Sequence, residues 1–353
     1  MGKCERTREL ILEHYRKYPR LQIQDIFKFL YQSSFGCEHL VSELDTVTDN
    51  IQKEYENKKA QGGELFDELD GEYCRVHLCA LDRGLSAKTL GKLFCASAKD
   101  TGGGTSELER KLTVARELVY SGDILLDPCE FDSEACEWRA SGYVALHHSL
   151  EFCECYAPSY RVISSRYVPY LQLFSKIDTR LSEGELTLAI DGGSASGKTT
   201  LSEMLGELYD SNVFHMDDFF LRPEQRTAER YAEVGGNVDR ERFLDEVLIP
   251  LKRKQSVGYR RFDCSTMTVT PAVEIAPRRL AVIEGAYSMH PELSLYYDLS
   301  VFLDISAELQ RKRIEKRNTP NMARRFFDEW IPLEKVYFSQ MMVAERCDMV
   351  IEV

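Results

Sequence analysis

The chain has 353 residues, which is enough for two domains that each bury a core. Its hydrophobic content of 43% and charged content of 29% are typical of globular proteins, and no apolar run reaches transmembrane length. The net charge of −13 disfavours binding to nucleic acid or to an anionic membrane surface, so we expect neither as a partner.

The first residues and the cysteines indicate the cell compartment. Residues 1–6 are charged and contain no apolar segment, so they do not resemble a secretory signal peptide. The odd number of 11 cysteines in a chain of this size favours reduced thiols over a disulfide framework. Together these features predict a cytoplasmic protein.

Residues 1–169 are predicted to form a mainly helical domain of unknown function. The alternation of Val76, Leu78 and Ala80 predicts one strand, over Tyr73–Leu81. Helical periodicity is found at residues 5–17, about 22–32, 40–55 and 88–98. These patterns indicate a fold but no chemistry.

The segment Ser141–Ser165 is dense in His, Tyr, Arg and Cys. Four side chains of types that bind zinc occur close together in this segment: His147, His148, Cys153 and Cys155. However, adjacent histidines point in different directions, and no C-x-x-C pair accompanies them. Core cysteines and hydrogen-bonded histidines are the alternative interpretation, and the sequence leaves both open.

A glycine-rich loop between a strand and a helix is the clearest pattern in the chain. The apolar run Leu186–Ile190 predicts a buried strand, and Leu201–Leu208 has helical spacing. Between them stands a G-x-x-x-x-G-K-T motif, whose backbone amides and helix N-terminus bind phosphates. We call this the P-loop, and its residues are Gly192, Gly193, Ser194, Ala195, Ser196, Gly197, Lys198, Thr199 and Thr200. The motif predicts nucleotide binding, with Lys198 on the β- and γ-phosphates and Thr199 on Mg²⁺.

Residues 170–353 are predicted to form a P-loop kinase-type α/β domain, because strands and helices alternate as in parallel sheets covered on both faces. A connecting helix at about 170–183 precedes it. Strands are expected at 186–191, 212–216, 280–284, 299–304 and 349–353. Helices are expected at about 197–209, 239–253, 307–317 and 323–344.

Carboxylates stand where two of these strands end, and ligands of such sheets bind beyond the carboxyl ends of strands. Asp217 follows the second strand and is predicted to activate an acceptor hydroxyl, with Asp218 as the alternate. Glu284 ends the third strand and is predicted to hold Mg²⁺ together with Thr199. A GTPase would need an Asn-Lys-x-Asp motif downstream of the P-loop. The sequence after Lys198 contains none, so phosphoryl transfer is favoured over hydrolysis.

Two further segments are candidates for contacts with the substrates. Arg313 and Arg317 share one helix face and are predicted to be catalytic lid arginines, the alternative being a solvated basic face. Arg261, Phe262 and Asp263 are predicted to contact the acceptor, and a surface hairpin is the alternative.

Residues 186–353 resemble the uridine kinase and phosphoribulokinase family of P-loop small-molecule kinases. The resemblance rests on four segments, Gly192–Thr200, Met216–Phe220, Arg261–Asp263 and Val282–Gly285. It implies a five-stranded parallel sheet, an acceptor-side base at Asp217 and a magnesium-serving carboxylate at Glu284. Where uridine kinases have a base-reading histidine followed by an arginine, this chain has Met267 and Val269.

These observations predict an ATP- and Mg²⁺-dependent kinase that phosphorylates a hydroxyl of a small polar acceptor, such as a nucleoside or a sugar-like molecule. The alternative is a nucleotide-sensing module whose P-loop domain regulates the N-terminal half. A third interpretation makes that half a second enzyme acting on the kinase product. The acceptor and the existence of a homo-oligomer are left open by the sequence.

Overall fold

The computed structural model describes residues 2–37, 43–57, 63–99 and 103–353. The chain divides into two compact units, Met1–Asp178 and Thr179–Val353. The division falls inside a helix, Leu171–Glu183, which corresponds to the predicted connecting helix. Within the described ranges, no helix is both long and apolar enough to cross a membrane.

The first unit is mainly helical, as the sequence predicts, with a small antiparallel sheet. Its helices are α1 (Lys3–Lys17), α2 (Ile23–Phe35), α3 (Leu44–Asn57), α4 (Ala87–Ser97), α5 (Gly104–Tyr120), α6 (Pro128–Ala140), α7 (Leu150–Tyr156) and α8 (Leu171–Glu183), which spans the division. Its strands, in sheet order, are β1 (Phe66–Glu68), β2 (Tyr73–His77) and β3 (Tyr160–Ser164). Leu40 and Val41 of the predicted third helix lie outside the described residues.

The strand predicted over Tyr73–Leu81 is shorter in the structure. Strand β2 ends at His77, and a 3₁₀ helix, Leu78–Arg83, follows it. β2 is the middle strand of its sheet, and its first four residues are all buried, so its two faces are not distinguished by polarity. The prediction that Leu78 and Ala80 continue the strand is therefore wrong, because both lie in the first turn of this 3₁₀ helix, where Cys79 between them is buried as well.

The second unit contains the predicted five-stranded parallel sheet. Its strands are β4 (Leu186–Gly192), β5 (Ser211–His215), β6 (Val257–Tyr259), β7 (Phe262–Asp263), β8 (Thr268–Val269), β9 (Val273–Ile275), β10 (Leu280–Glu284), β11 (Leu299–Asp304) and β12 (Met349–Glu352). The parallel sheet has the order β5-β10-β4-β11-β12, while β6 pairs with β9 and β7 with β8 in antiparallel ribbons.

The helices of the second unit also follow the predicted order. They are α9 (Lys198–Leu208), α10 (Ala228–Ala232), α11 (Arg240–Phe243), α12 (Ile249–Lys252), α13 (Pro291–Ser294), α14 (Ala307–Arg317), α15 (Pro320–Arg325), α16 (Ile331–Gln340) and α17 (Val343–Arg346). A π-helical turn, Leu244–Leu248, joins α11 to α12, and another, Phe326–Trp330, joins α15 to α16. The helix predicted at 323–344 thus begins at Pro320 and is interrupted near Met342, whose φ is +46°.

The register of the parallel sheet positions the candidate site. Every residue of β10 is buried, as expected for a strand covered on both faces, and β10 lies between β4 and β5. Glu284, its last residue, is aligned with Ile190 on one side and His215 on the other. The loops that follow these three strands therefore meet at one edge of the sheet, which confirms the predicted fold class.

Candidate active site

The P-loop lies between the end of β4 and the first turn of α9. Gly192 has a φ of +148°, and a Cβ atom built there would lie 2.6 Å from the carbonyl oxygen of Leu303, so a larger residue does not fit. Gly197 has a φ of +102° and precedes Lys198, where α9 begins. The loop thus ends at the N-terminus of α9, where backbone amides without intrahelical partners suit an anion.

The side chains of Lys198 and Thr199, the Lys and Thr of the G-x-x-x-x-G-K-T motif, both form hydrogen bonds. The Nζ atom of Lys198 donates to the carbonyl oxygens of Gly192 at 2.8 Å and Gly193 at 3.1 Å, so it lies across its own loop. The Thr199 hydroxyl donates to the Oε1 atom of Glu284 at 3.3 Å. The two side chains predicted to hold Mg²⁺ are therefore adjacent.

His215 is a member of the site that sequence reasoning missed. Its Nδ1 atom lies 2.6 Å from Oε1 of Glu284, because the last residues of β5 and β10 are aligned. The hydrogen bond with Glu284 and its negative charge raise the pKa of His215 above its usual value, while burial opposes this. The position of His215 two residues before Asp217 was the available signal.

The two adjacent aspartates have different surroundings. The Oδ2 atom of Asp218 accepts a hydrogen bond from the Tyr259 hydroxyl at 2.7 Å and lies 3.4 Å from Nε of Arg261. Asp217 is exposed, and no described residue donates a hydrogen bond to it. Although the side chain reaches solvent, the protein packed around the carboxylate limits its hydration, which raises the pKa of Asp217 above the usual value, and the positive charge of Lys198 partly opposes this. Asp217 is thus the carboxylate with free acceptor atoms.

The segment Arg261–Asp263 forms a hairpin with β8, which is the alternative that the sequence left open. Phe262 pairs with Val269 and is buried, and the Arg226 guanidinium lies 5.6 Å from its ring centroid. Asp263 accepts hydrogen bonds from the amide and the hydroxyl of Ser265 at 2.8 and 2.6 Å, so it stabilises the turn. Of the three predicted acceptor contacts, the structure brings only Arg261 to the aspartate pair.

The two predicted lid arginines lie on α14 but have different partners. The guanidinium of Arg313 donates to the carbonyl oxygen of Ala195 at 3.1 Å and of Ser196 at 3.4 Å. Arg317 lies 6.0 Å from the ring centroid of Phe326. Arg313 therefore supports the carbonyl side of the P-loop here, and neutralisation of phosphates by both arginines stays a prediction.

Two carboxylates behind the P-loop were also not identified from the sequence. Glu334 on α16 is buried and accepts hydrogen bonds from the amide of Ser194 at 2.9 Å and from its hydroxyl at 2.6 Å. Gln310 donates to the carbonyl oxygen of the same serine at 2.9 Å. Asp191 is fully buried and accepts from the Tyr337 hydroxyl at 2.8 Å. The spacing of Glu334 and Tyr337, three residues apart on a helix, was the only sequence signal.

Asp191 is an unusual carboxylate. Burial raises its pKa to about 6, although the amides of Met289 and Gly192 and the Tyr337 hydroxyl donate to it and oppose the shift. The folded chain therefore binds this proton more tightly than the unfolded chain does. By linkage, ionisation of Asp191 costs stability, and that loss develops as pH rises from about 4 to about 6.

Tyr337→Phe is expected to lower the free energy of unfolding by about 1–3 kcal/mol near neutral pH, because the ionised Asp191 carboxylate loses a buried donor. The loss should be smaller at about pH 5, where more of the carboxyl is protonated and needs fewer donors. Thermal and denaturant unfolding at both pH values measure this. The control is Tyr231→Phe, which alters a half-exposed tyrosine. Equal losses in the two variants would show that the Tyr337 hydroxyl does not stabilise Asp191.

The four candidate zinc ligands lie in the first unit, and the structure does not arrange three or more of them to bind a metal ion. Both ring nitrogens of His148 have partners, Asp25 Oδ1 at 2.8 Å and the Tyr160 hydroxyl at 2.6 Å. Cys153 and Cys155 are exposed on α7. Among the described residues, no cluster of three or more His, Cys, Asp or Glu side chains is arranged to bind a metal ion.

Comparison with known proteins finds one family model that matches part of the second unit. The sequence model of the phosphoribulokinase / uridine kinase family matches residues 187–325. This match confirms the resemblance predicted for the C-terminal half and includes the P-loop, the aspartate pair and Glu284. No curated protein sequence matches the chain.

Three of the solved structures with similarity to the chain are described as kinases. A possible uridine kinase from Bacillus stearothermophilus is 24% identical, with a TM-score of 0.39, and the match covers 51% of this chain and 99% of that one. A proposed fructose transport system kinase from Silicibacter sp. TM1040 is 23% identical, with a TM-score of 0.39, and the match covers 47% and 89%. Shikimate kinase from Bacteroides thetaiotaomicron is 13% identical, with a TM-score of 0.26, over 47% and 85%.

Proposed function

We propose that the second unit transfers the γ-phosphoryl group of ATP to a hydroxyl group of a small polar acceptor. The observation that carries this proposal is the meeting of three elements at one sheet edge. The P-loop follows β4, and Glu284 ends β10. Asp217 follows β5, and its carboxylate accepts no hydrogen bond from a described residue. Phosphoryl transfer requires these three functions: a phosphate cradle, a group that orients or deprotonates the acceptor, and charge neutralisation.

The P-loop amides and Lys198 are proposed to bind the phosphates of ATP. In the structure the Lys198 ammonium donates to two carbonyl oxygens of its own loop, which are weak partners compared with phosphate oxygens. Bound ATP would therefore replace these contacts with charge-assisted hydrogen bonds. Gln310, Arg313 and Glu334 hold Ser194, Ala195 and Ser196 from outside, which keeps the loop shaped before the nucleotide arrives.

The residues at Thr199 and Glu284 fit a magnesium ion. Mg²⁺ binds hydroxyl, carboxylate, water and phosphate oxygens, and here a hydroxyl and a carboxylate lie 3.3 Å apart beside the P-loop. Both contacts to Glu284 use its Oε1 atom, and no described residue donates to Oε2. Bound Mg²⁺ would neutralise charge that develops on the transferring phosphoryl group. His215 orients Glu284 through their 2.6 Å contact.

Asp217 is proposed to accept the proton of the acceptor hydroxyl. Its carboxylate is exposed and lacks a hydrogen-bond donor among the described residues, whereas the Asp218 carboxylate is held by Tyr259 and Arg261. The raised pKa of Asp217 makes the carboxylate a stronger base than an ordinary aspartate. Arg261, which contacts Asp218, is the proposed acceptor contact, and Arg317 is the proposed cation that reaches the phosphates when the lid closes.

The proposed acceptor is a nucleoside or a sugar-like molecule, with its identity set by the hairpin beside the aspartates. At the two positions where uridine kinases have a histidine and an arginine, the hairpin carries Met267 and Val269. Met267 has a φ of +58°, and Val269 pairs with Phe262. Neither side chain can supply a hydrogen bond to a base, so we do not expect uridine to be the preferred acceptor.

A labelling experiment tests the proposed function. The full chain is incubated with Mg²⁺ and ATP labelled in the γ-phosphate, together with a protein-free extract of small metabolites. A kinase transfers the label to an organic molecule, and that product is absent without the extract. A nucleotide sensor, the alternative, would bind ATP and leave the label in ATP, or release it slowly as inorganic phosphate whatever is added.

A further inference from the structure

The first unit contains a cavity that the proposed kinase reaction does not use. Its volume is about 410 Å³, which lies within the usual range for small-molecule sites. One wall is apolar and includes Val47, Phe94 and Val162. The polar part of the lining, here called the polar wall, includes Lys28, Gln32, Glu54, His148, Tyr160 and Arg161. A lining that combines apolar side chains with a few polar groups is typical of a ligand site.

A buried arginine stands behind the polar wall. Arg75 is only 1% exposed, its Nε atom donates to Gln32 Oε1 at 2.9 Å, and its guanidinium lies 4.7 Å from the ring centroid of Tyr160. Its Nη2 atom is buried without a hydrogen-bond partner. In the part of the chain that the structure describes, no carboxylate forms an ion pair with Arg75. A buried guanidinium without a counter-ion is unfavourable, so the wall carries uncompensated positive charge.

Lys28 adds a second positive charge to the same wall. Its ammonium donates to the carbonyl oxygen of Leu146 at 2.7 Å, and an ammonium has two further protons to donate. Burial, together with the positive charge of Arg75, lowers the pKa of Lys28 to about 8. The amine is therefore in surroundings that would be stabilised by an anion.

The carboxylates near the cavity already have other partners. Asp25 accepts from the Ser149 hydroxyl at 2.6 Å and is 2.8 Å from Nδ1 of His148, whose own pKa is lowered to about 4 by burial, so His148 is neutral at pH 7. Glu54 accepts from Arg161 at 2.9 Å. Neither carboxylate bonds directly to Lys28 or Arg75, so these two cations, unlike Arg161, lack an ion-pair partner among the described residues.

We propose that this cavity binds a small organic anion, a carboxylate or a phosphate monoester with an apolar body. Lys28 and the Gln32 amide bind the anionic group, and the charge of Arg75 behind them strengthens the interaction. Val47, Phe94 and Val162 cover the apolar body. The site is separate from the P-loop and does not depend on the proposed kinase reaction.

Calorimetric titration of the full chain tests the site, with Lys198→Ala as the background so that phosphate binding at the P-loop is weakened. The probes are benzoate, phenyl phosphate and their neutral analogue benzyl alcohol. At least one anion is expected to bind at a single site, and benzyl alcohol at least about tenfold more weakly. Lys28→Met, which has a similar length and no charge, is expected to weaken anion binding about tenfold to a hundredfold. Lys88→Met, an exposed lysine of α4 outside the cavity, should leave it unchanged.

The chain offers safeguards against an ambiguous result. Lys28→Met removes a buried charge and should fold, which circular dichroism checks, and Lys28→Gln is a second variant of the same kind. The comparison of anions with benzyl alcohol requires no change at Lys28. Binding of benzyl alcohol as tight as that of the anions, or anion binding that survives the loss of the Lys28 charge, would overturn the proposal. So would the absence of binding by both anions.

Discussion

Replacing Asp217 by Asn is expected to lower phosphoryl transfer by roughly 10²–10⁴-fold, the usual contribution of general acid–base catalysis. The amide cannot accept a proton from the acceptor hydroxyl, although it has nearly the same size. ATP binding should change little, because the P-loop and Lys198 are intact. Steady-state rates with a transferring acceptor, together with calorimetric titration by a non-hydrolysable ATP analogue, separate the two effects.

The matched control for this variant is Asp218→Asn. Asp218 is held by Tyr259 and Arg261, so its replacement should loosen the hairpin and raise the KM for the acceptor more than it lowers kcat. If Asp218→Asn abolishes transfer and Asp217→Asn does not, the two aspartates have been assigned the wrong way round.

The pH dependence of transfer gives an independent check on Asp217. A base must be ionised, and the pKa of Asp217 is raised by its limited solvation. The rate should therefore fall on acidification, with a midpoint above the usual range of an aspartate. The pH profile of kcat/KM measures this pKa in the free enzyme. The residual activity of Asp217→Asn should lack that acidic limb, and an identical limb in the variant would assign it to another group.

Lys198→Ala is expected to weaken binding of Mg²⁺-ATP by about tenfold to a hundredfold, since a charge-assisted hydrogen bond to phosphate is lost. Transfer should fall by a further factor of roughly 10²–10³, because the lysine also neutralises charge that grows in the transition state. Lys254→Ala removes an exposed lysine of the same unit, paired with Glu185, and is the control.

A different result for Lys198 would be informative. Unchanged affinity with reduced transfer would mean that the lysine acts in the transition state alone. Unchanged affinity and unchanged transfer would show that ATP phosphates are bound somewhere other than the P-loop, which would contradict the proposed site.

The second unit could be predicted well from the sequence because its signals are local. The strand Leu280–Glu284 is apolar up to Ile283, and a strand buried on both faces needs such a run whatever its neighbours are. The P-loop needs glycine at Gly192 because Leu303 approaches its backbone closely, so the motif records a steric requirement. The edge where Asp217 and Glu284 stand then follows from the rule that ligands bind beyond the carboxyl ends of parallel strands, whereas the strand order was not predicted.

The first unit was harder to predict because its sheet is made by distant contacts. Strand β2 pairs with β3, about ninety residues further along the chain, and both are only five residues long. Contacts between its buried polar residues are also made by distant parts of the chain. Asp25 of α2, for example, contacts His148 in the segment before α7. No local pattern in the sequence records such a pairing.

The support of the P-loop was missed for a related reason. Asp191 and Tyr337 are 146 positions apart, and Ser194 and Glu334 are 140 apart, so nothing near either residue indicates its partner. The contacts of Arg313 were likewise not predicted. Arg313 and Arg317 were selected by their spacing on one helix, which does not reveal that the Arg313 guanidinium reaches the carbonyl oxygens of Ala195 and Ser196.

The most direct test of the proposed function is ADP release with Mg²⁺-ATP against a panel of nucleosides, sugars and vitamins, with Asp217→Asn measured in parallel. The account predicts that one class of acceptor stimulates ADP release in proportion to a new phosphorylated product, and that Asp217→Asn abolishes the stimulation. The contradicting result is tight ATP binding with the same slow ADP release for every acceptor and for both proteins, which would identify a nucleotide sensor.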